Sequence, residues 1–310
     1  MSVVPTTTAA EPAAGPSREV DGLPGRAGDV ARLFGERVRI VDFYDGQGSA
    51  IYHQLTHDDR SEVAELVRLV RRCEGAVLEL ACGSGRLTLP LLTCGHEVVA
   101  IDNSPRMLEL LAQRLATHAG ARVASRLTSA EADITRLALG RQFGAVVLGT
   151  TSISLLDAGQ RRALFERVRE HLDADGRFFV STLEISAADT LHPAESAEVF
   201  LTQQSTLGAA AFNDIPDAMC TLFEYVDWQR ERRWVSVLCQ PALGDPLLAT
   251  TSTHLIATPE LEAELLRCGL AVVERHEVAG IAAIGSLARR VVLLETRLAG
   301  VAAGSVGESQ

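Results

Sequence analysis

The sequence contains no lysine, and all 29 of its basic residues are arginine. A Schiff-base nucleophile, a pyridoxal anchor and the lysine of a Walker-type phosphate loop each need an amine that can lose its proton or act as a compact point charge. Arginine supplies neither. The enzyme classes that depend on such a lysine are therefore excluded.

Paired cysteines are absent as well. The six cysteines include no C-x-x-C pair, so their spacing predicts neither a zinc site nor a disulfide framework. We expect them to be small buried apolar residues in a reducing compartment, which favours the cytoplasm. They are Cys73, Cys82, Cys94, Cys220, Cys239 and Cys268.

Membrane segments and excess positive charge are also lacking. No apolar run reaches the ~18 residues of a membrane span, and the N-terminal residues show no basic region followed by an apolar core, as a signal peptide would. The formal net charge is −11. Binding of nucleic acid or of an anionic membrane therefore has no electrostatic basis, and neither is a predicted partner.

What the sequence does contain is an alternation of apolar strand-like segments with helical patterns. The segments at residues 76–81 and 97–102 are mainly apolar, as strands buried on both faces are, and together with those at 143–149 and 176–184 they predict a parallel sheet with helices on both sides. Residues 195–254 instead alternate apolar and polar positions, which indicates inserted antiparallel strands. The predicted units are a flexible tail at 1–28, an N-terminal helical segment at 29–58, a core at 59–184, the insertion at 185–254, the end of the core at 255–298 and a second tail at 299–310.

Local signals set several helix boundaries. Ser104 with Pro105, and Thr258 with Pro259, predict a capping residue followed by a helix start. Asp59 is a predicted cap for the helix before the core. Within residues 29–59, the glycines at positions 46 and 48 are expected to break short helical patches.

A glycine-rich turn follows the first core strand in the stretch LELACGSGRL, residues 78–87. Such a turn lets a nucleotide-like ligand approach the backbone. Thr88 occupies the third glycine position of the dinucleotide pattern G-x-G-x-x-G, so that pattern is incomplete. Glu79 would repel a pyrophosphate but attract a cationic ligand that carries an amino acid, so an NAD-dependent oxidoreductase fits poorly.

The run from Glu79 to Gly85 resembles the E/D-x-x-x-G-x-G motif of the Rossmann-like (class I) S-adenosylmethionine-dependent methyltransferases. Asp102 stands where that family's acid takes the two ribose hydroxyls, and Asp133 stands where its acid accepts from the adenine amino group. Leu148–Thr150 stand where the backbone borders the sulfonium. The resemblance implies an α/β fold with a seven-stranded, mostly parallel sheet, the cofactor S-adenosyl-L-methionine, and a binding site made of Glu79, Ala81, Gly83, Gly85, Asp102, Asn103, Met107, Asp133, Ile134, Gly149 and Thr150.

The acceptor is predicted to be an amine. A neutral amine needs alignment and desolvation, whereas a hydroxyl acceptor needs a base. Residues 43–53 resemble the N-terminal lid of aminosugar and peptide N-methyltransferases, and within them the group that dimethylates N-terminal amines in daptide-type ribosomal peptide pathways. That resemblance implies that Tyr44, Tyr52 and His53 shape the acceptor end. For an oxygen acceptor, the candidate bases are Asp45, His53, His57, Glu184 and His192.

Other functions stay open at this point. His53 and His57 are spaced to share a helix face, but Gln54 replaces the glutamate of H-E-x-x-H and no third ligand follows, so no metal is predicted. The inserted strands, with Trp228 and Trp234, resemble a substrate cover or a homodimer contact of small-molecule N-methyltransferases. The alternatives are O- or N-methylation of a small natural-product metabolite, and a noncatalytic cofactor-binding subunit of a biosynthetic complex.

Overall fold

The computed structural model describes residues 22–44, 46–56, 62–187, 190–202, 218–241, 244–278 and 288–300. Much of the two predicted tails lies outside these residues, as do Asp45, His57 and Asp59. The first helix begins at Gly25, inside the stretch that was predicted to be a flexible tail.

Strands and helices alternate along the chain, as predicted. The strands are β1 (Arg39–Asp42), β2 (Val77–Leu80), β3 (Val98–Asp102), β4 (Leu127–Glu131), β5 (Phe143–Leu148), β6 (Leu172–Ser186), β7 (Ala194–Thr202), β8 (Ala218–Asp227), β9 (Arg232–Pro241), β10 (Leu247–His254), β11 (Leu270–Val278) and β12 (Ala288–Leu298). The helices are α1 (Gly25–Phe34), α2 (Gly46–Thr56), α3 (Val63–Val70), α4 (Thr88–Thr93), α5 (Pro105–His118), α6 (Ala121–Ala124), α7 (Ala158–His171) and α8 (Thr258–Arg267).

Seven strands form the main sheet in the order β11-β12-β6-β5-β2-β3-β4. The five strands from β6 to β4 pair in parallel, whereas β12 and β11 pair antiparallel at one edge. The predicted mostly parallel sheet is confirmed. Alternate residues of its central strands enter different apolar clusters: Leu78 and Leu80 join the one with Phe165 and Phe178, and Val77 joins the one with Leu66. Burial on both faces explains why these strands read as continuous apolar runs.

A second sheet has the order β1-β10-β9-β8-β7. Its strands β7 to β10 pair antiparallel, as the alternating pattern predicted. The sequence pattern gave no sign of β1, which pairs in parallel with β10 and brings the N-terminal segment onto the inserted strands. The expected break at Gly48 is wrong, because Gly48 lies inside α2, whereas Gly46, with φ +52°, is the first residue of that helix. Ala50 and Ile51 of that helix are buried with Phe43, so tertiary packing outweighs the low helix propensity of glycine.

The two predicted caps that lie within the described residues, Ser104 and Thr258, have different outcomes. The Ser104 hydroxyl accepts from the Met107 backbone N–H at 3.3 Å and Pro105 opens α5, which confirms that cap. At α8 the capping position belongs to Ala257. Thr258 is already helical, and its hydroxyl donates to the Glu184 carboxylate instead.

The cysteines are not uniformly buried, since Cys94 is exposed. Cys220 and Cys239 lie opposite each other on β8 and β9 with their Sγ atoms 2.6 Å apart. Among the helices in the described ranges, none is long and apolar enough to cross a membrane.

Candidate functional site

The turn after β2 is shaped by two glycines with different tasks. Gly83 has φ +54°, and a Cβ placed on it would meet nothing within 4 Å, so its backbone faces open space. Gly85 has φ +85°, and a Cβ there would lie 2.3 Å from Leu111 Cδ1. Gly83 therefore leaves room for a ligand, whereas Gly85 lets the turn pack on α5.

Asp102, at the end of β3, ties this turn to the next one. Its Oδ2 accepts from the Gly83 backbone N–H at 2.7 Å, and its Oδ1 accepts from the Ser104 backbone N–H at 2.9 Å. Burial raises the pKa of this carboxyl, and the backbone N–H groups of Ser104, Gly83 and Asn103 oppose that rise. Each oxygen keeps a further lone pair, so the carboxylate can also accept from a vicinal diol.

Glu79, on β2, is a buried carboxyl beside Asp102. Its side chain is 2% exposed, and its Oε2 has no hydrogen-bond partner among the described residues. Burial raises its pKa to about 8, while the nearby Thr88 hydroxyl opposes the rise and the charge of Asp102 adds to it. An orphaned acidic oxygen of this kind is a site at which a cationic ligand would be bound.

Asp133 and the loop after β5 complete the same edge of the main sheet. Asp133 is exposed, and its Oδ1 accepts from both the backbone N–H and the hydroxyl of Thr135, which lowers its pKa. In the loop, Thr150 and Thr151 have φ values of +57° and +56°. Two successive left-handed residues other than glycine are uncommon and mark a constrained backbone.

These segments surround a cavity of about 550 Å³. Of the predicted cofactor residues, ten line it: Glu79, Ala81, Gly83, Asp102, Asn103, Met107, Asp133, Ile134, Gly149 and Thr150. Gly85 lies behind the turn, in contact range of Leu111. The carboxyl ends of parallel strands are where α/β sheets bind ligands, and the predicted residues converge there.

The other end of the cavity is aromatic. Tyr44 and Tyr52 line it, with ring centroids 5.1 Å apart, and Phe43 contacts both rings edge-on. Burial raises the pKa of each tyrosine, so both hydroxyls stay protonated at neutral pH. Asp42 also lines this end, and its Oδ1 accepts from the Tyr44 backbone N–H at 2.9 Å.

His53 does not line the cavity. It is buried, and its Nδ1 lies 2.6 Å from the Ser84 hydroxyl. Successive residues on a helix point about 100° apart, and of Tyr52 and His53 only Tyr52 lines the cavity. The other described base candidates are also outside it, because His192 is exposed and Glu184 is paired with Thr258 and Arg290.

Sequence reasoning missed several residues of the site. Asp42, Thr251 and Ser252 come from the paired strands β1 and β10, and Arg86 follows the glycine turn. Glu62 is buried and contacts both Arg86 and Thr150. An arginine directly after G-x-G was a usable signal, but the other residues meet only through pairing between distant segments.

Comparison with known proteins gives a consistent assignment. Residues 77–176 match the family model described as "Methyltransferase domain". No curated protein sequence matches the chain. A solved structure of the glycopeptide N-methyltransferase MtfA with S-adenosyl-L-methionine is 28% identical, with a TM-score of 0.54 over 89% of this chain and 98% of that one.

Two further solved structures share the fold. The methyltransferase CcbJ from Streptomyces caelestis is 20% identical, with a TM-score of 0.61 over 80% of this chain and 96% of that one. CalS10, an amino pentose methyltransferase from Micromonospora echinaspora, is 18% identical, with a TM-score of 0.56 over 83% and 99%. At these identities the likeness concerns the fold alone.

Residues 77–176 thus carry a class I S-adenosylmethionine-dependent methyltransferase domain, which implies S-adenosyl-L-methionine as the cofactor. The site fits that cofactor on its own geometry. The orphaned Oε2 of Glu79 suits a cationic amino-acid group, the space before Gly83 admits it, and Asp102 has lone pairs for a ribose.

Proposed function

We propose that this S-adenosylmethionine-dependent methyltransferase methylates an amine, and that the acceptor is the N-terminal amine of a ribosomally made peptide natural product. The observation that supports an amine as the methyl acceptor is the acceptor end of the cavity, where the rings of Tyr44 and Tyr52 lie beside the Asp42 carboxylate. Aromatic faces and a carboxylate both attract an ammonium group.

Charge and similarity support a peptidic acceptor. The net charge of −11 suits a cationic substrate. MtfA, which is 28% identical over nearly its full length, is an N-methyltransferase of a glycopeptide. The resemblance of residues 43–53 to the daptide-type lid adds the N-terminal amine as the specific position.

In this proposal the chain's residues bind and orient the two substrates. The cofactor supplies an electrophilic methyl group when it is bound. Glu79, Asp102 and the backbone of Gly83 hold it, while Asp133 and Ile134 border its adenine. Tyr44 and Tyr52 exclude water from the acceptor nitrogen and align it, which is the main assistance that a neutral amine requires.

We also propose that residues 29–58 act as a lid and that residues 185–254 act as the substrate cover. The lid supplies Tyr44 and Tyr52, and the cover supplies Thr251 and Ser252, to one cavity. Pairing of β1 with β10 supports a joint role, because it links the two segments. Homodimerisation through the inserted strands stays a prediction.

A second candidate is methylation of a hydroxylated small metabolite. Four polar side chains that the cofactor prediction does not use also line the cavity, namely Ser152, Gln160, Thr251 and Ser252. Such groups suit an acceptor that carries several hydroxyls, such as an aminosugar.

The test is a mass-spectrometric panel with S-adenosyl-L-methionine. It contains a short peptide with a free N-terminal amine, the same peptide N-acetylated, an aminosugar and a phenol. Mass increases of one or two methyl groups on the free peptide alone support the proposal. Methylation of the phenol alone, with a rate that rises with pH, would replace it by O-methylation. Methylation of only the aminosugar would favour the second candidate.

A further inference from the structure

Glu62 is a buried carboxylate that joins two walls of the cofactor cavity. Its side chain is 2% exposed, and the residue lies directly before α3 in the sequence. One oxygen, Oε1, accepts from Arg86 Nη2 at 2.7 Å and also from the backbone N–H of Thr150. Arg86 and Thr150 both line the cavity, from the turn after β2 and from the loop after β5. A single carboxylate thus spans the two segments that face the cofactor.

The loop that Glu62 contacts has a backbone that needs support. Thr150 and Thr151 are both left-handed, a conformation that is unfavourable for a residue with a Cβ. Their N–H groups are held by separate acceptors: that of Thr150 by Glu62, and that of Thr151 by the Ser181 hydroxyl at 2.9 Å. Loss of the Glu62 acceptor would leave one of these two N–H groups unsatisfied, and the loop would be free to relax.

The buried ion pair between Glu62 and Arg86 is not explained by a gain in folding stability. Buried ion pairs contribute little net folding free energy, because desolvation offsets their attraction. The Arg86 side chain is 10% exposed, and Glu62 Oε2 has no hydrogen-bond partner among the described residues. Both charges act on Tyr52, whose pKa is lowered by Arg86 and raised by Glu62 in addition to the larger effect of burial. The pair therefore lies where the lid tyrosine, the glycine turn and the loop meet.

We propose that Glu62 is a positioning residue for the cofactor site. It fixes the Arg86 guanidinium and the left-handed Thr150 at the spacing that S-adenosyl-L-methionine requires. This role concerns cofactor binding and does not depend on which acceptor the enzyme uses.

Calorimetric titration with S-adenosylhomocysteine tests the proposal without any acceptor. Glu62→Gln keeps an acceptor for the Thr150 N–H but loses the charge that pairs with Arg86, and we expect affinity to fall about 5-fold. Glu62→Ala loses both contacts, with an expected fall of about 30-fold. A higher affinity in Glu62→Gln than in Glu62→Ala would show how much of the loss comes from the contact with the Thr150 N–H and how much from the ion pair with Arg86.

Glu295→Gln is the matched control. Glu295 is also a buried carboxylate, paired with Arg72 at 3.2 Å and Arg177 at 3.3 Å, but it does not line the cavity. We expect this variant to lower the unfolding midpoint while its affinity for S-adenosylhomocysteine stays within about twofold of wild type.

Arg86→Met provides a second route if Glu62→Ala does not fold. Affinity in the double variant Glu62→Gln/Arg86→Met should then be no lower than in Arg86→Met alone, because the interaction has already been removed. Additive losses in that cycle would overturn the proposal. So would an affinity in Glu62→Gln equal to wild type, or an equal loss of affinity in Glu295→Gln.

Discussion

The two sheets line one cavity in different ways. The main sheet presents Glu79 and Asp102 at the carboxyl ends of adjacent parallel strands, with the intervening turns completing the cofactor end. The second sheet presents Asp42 and Thr251 from β1 and β10, which are far apart in the sequence and meet only through strand pairing. The cofactor end is built from consecutive strand-helix units, and the acceptor end is assembled from separate segments.

This difference has a functional consequence. A fixed cofactor site on buried strands can serve many reactions, while the acceptor site can change with the segments that cover it. The central strands β2, β3 and β5 of the main sheet are buried on both faces, and their apolar residues lie in two clusters. We therefore expect substitutions at the cofactor end to change cofactor affinity, and substitutions at the acceptor end to change acceptor kinetics alone.

Asp102→Ala should produce the largest effect. It removes the acceptors for the Gly83 and Ser104 backbone N–H groups, at 2.7 and 2.9 Å, together with the carboxylate available to a ribose. Because hydrogen bonds to a charged group are each worth roughly 1.5–3 kcal/mol, S-adenosylhomocysteine should bind about 100-fold more weakly. Calorimetry measures this affinity.

Two variants control the Asp102 experiment. Asp102→Asn keeps one acceptor oxygen and should lose only about 10-fold in affinity. Asp133→Ala should lose about 3-fold, because that carboxylate is exposed and bound to Thr135. Equal losses in Asp102→Ala and Asp133→Ala would contradict the division of roles between the two acids.

Glu79→Gln should weaken S-adenosylhomocysteine binding about 10-fold. It should also change the number of protons that are released when the ligand binds. The pKa of Glu79 is about 8 in the folded protein against an ordinary 4.5. A bound cation favours the ionised form, so binding near pH 7 should release a proton from Glu79. Calorimetry in buffers of different ionisation enthalpy should detect that release in the wild type and lose it in the variant.

The same pKa shift predicts the pH dependence of stability without ligand. Between pH 4.5 and 8 the folded protein keeps a proton on Glu79 that the unfolded chain has released. The free energy of unfolding should therefore fall as the pH rises through this window and level off above it. Glu79→Gln should flatten that slope. An unchanged slope in the variant would mean that another group is responsible.

The cofactor end was predictable because its signals are local. Glu79, Gly83 and Asp102 lie within a strand-turn-helix-strand unit, whose geometry follows from apolar runs and glycines. The positions of Glu62 and Asp42 were not predictable, because their partners lie in distant parts of the chain. The lid resemblance grouped His53 with Tyr52, but of these two residues only Tyr52 lines the cavity, while His53 contacts Ser84 of the cavity wall.

Tyr44→Leu should affect the acceptor alone. The Tyr44 ring contacts Tyr52 and Phe43 at centroid distances of 5.1 and 5.7 Å. Without its aromatic face, kcat/KM for the amine that is methylated in the panel should fall about 10-fold, while S-adenosylhomocysteine affinity stays within about twofold. Tyr44→Phe keeps the face and should retain most of the activity. A parallel loss of cofactor affinity in Tyr44→Leu would show that the two ends are not separable.

Thr251→Val should give the smallest effect and the sharpest test of the second sheet. Thr251 lines the cavity, and the nearly isosteric valine removes only its hydroxyl. The KM for the acceptor should rise about 3-fold, the value of one neutral hydrogen bond, with kcat unchanged. The matched control is Thr250→Val, one residue earlier on β10, where the hydroxyl bonds Ser236 at 2.8 Å and does not line the cavity. Because the Thr250 hydroxyl bonds Ser236 and lies outside the cavity lining, Thr250→Val should lower stability and leave the KM unchanged. If both variants raised the KM equally, the effect would come from distortion of β10, and the second sheet would support the acceptor site without contacting the acceptor.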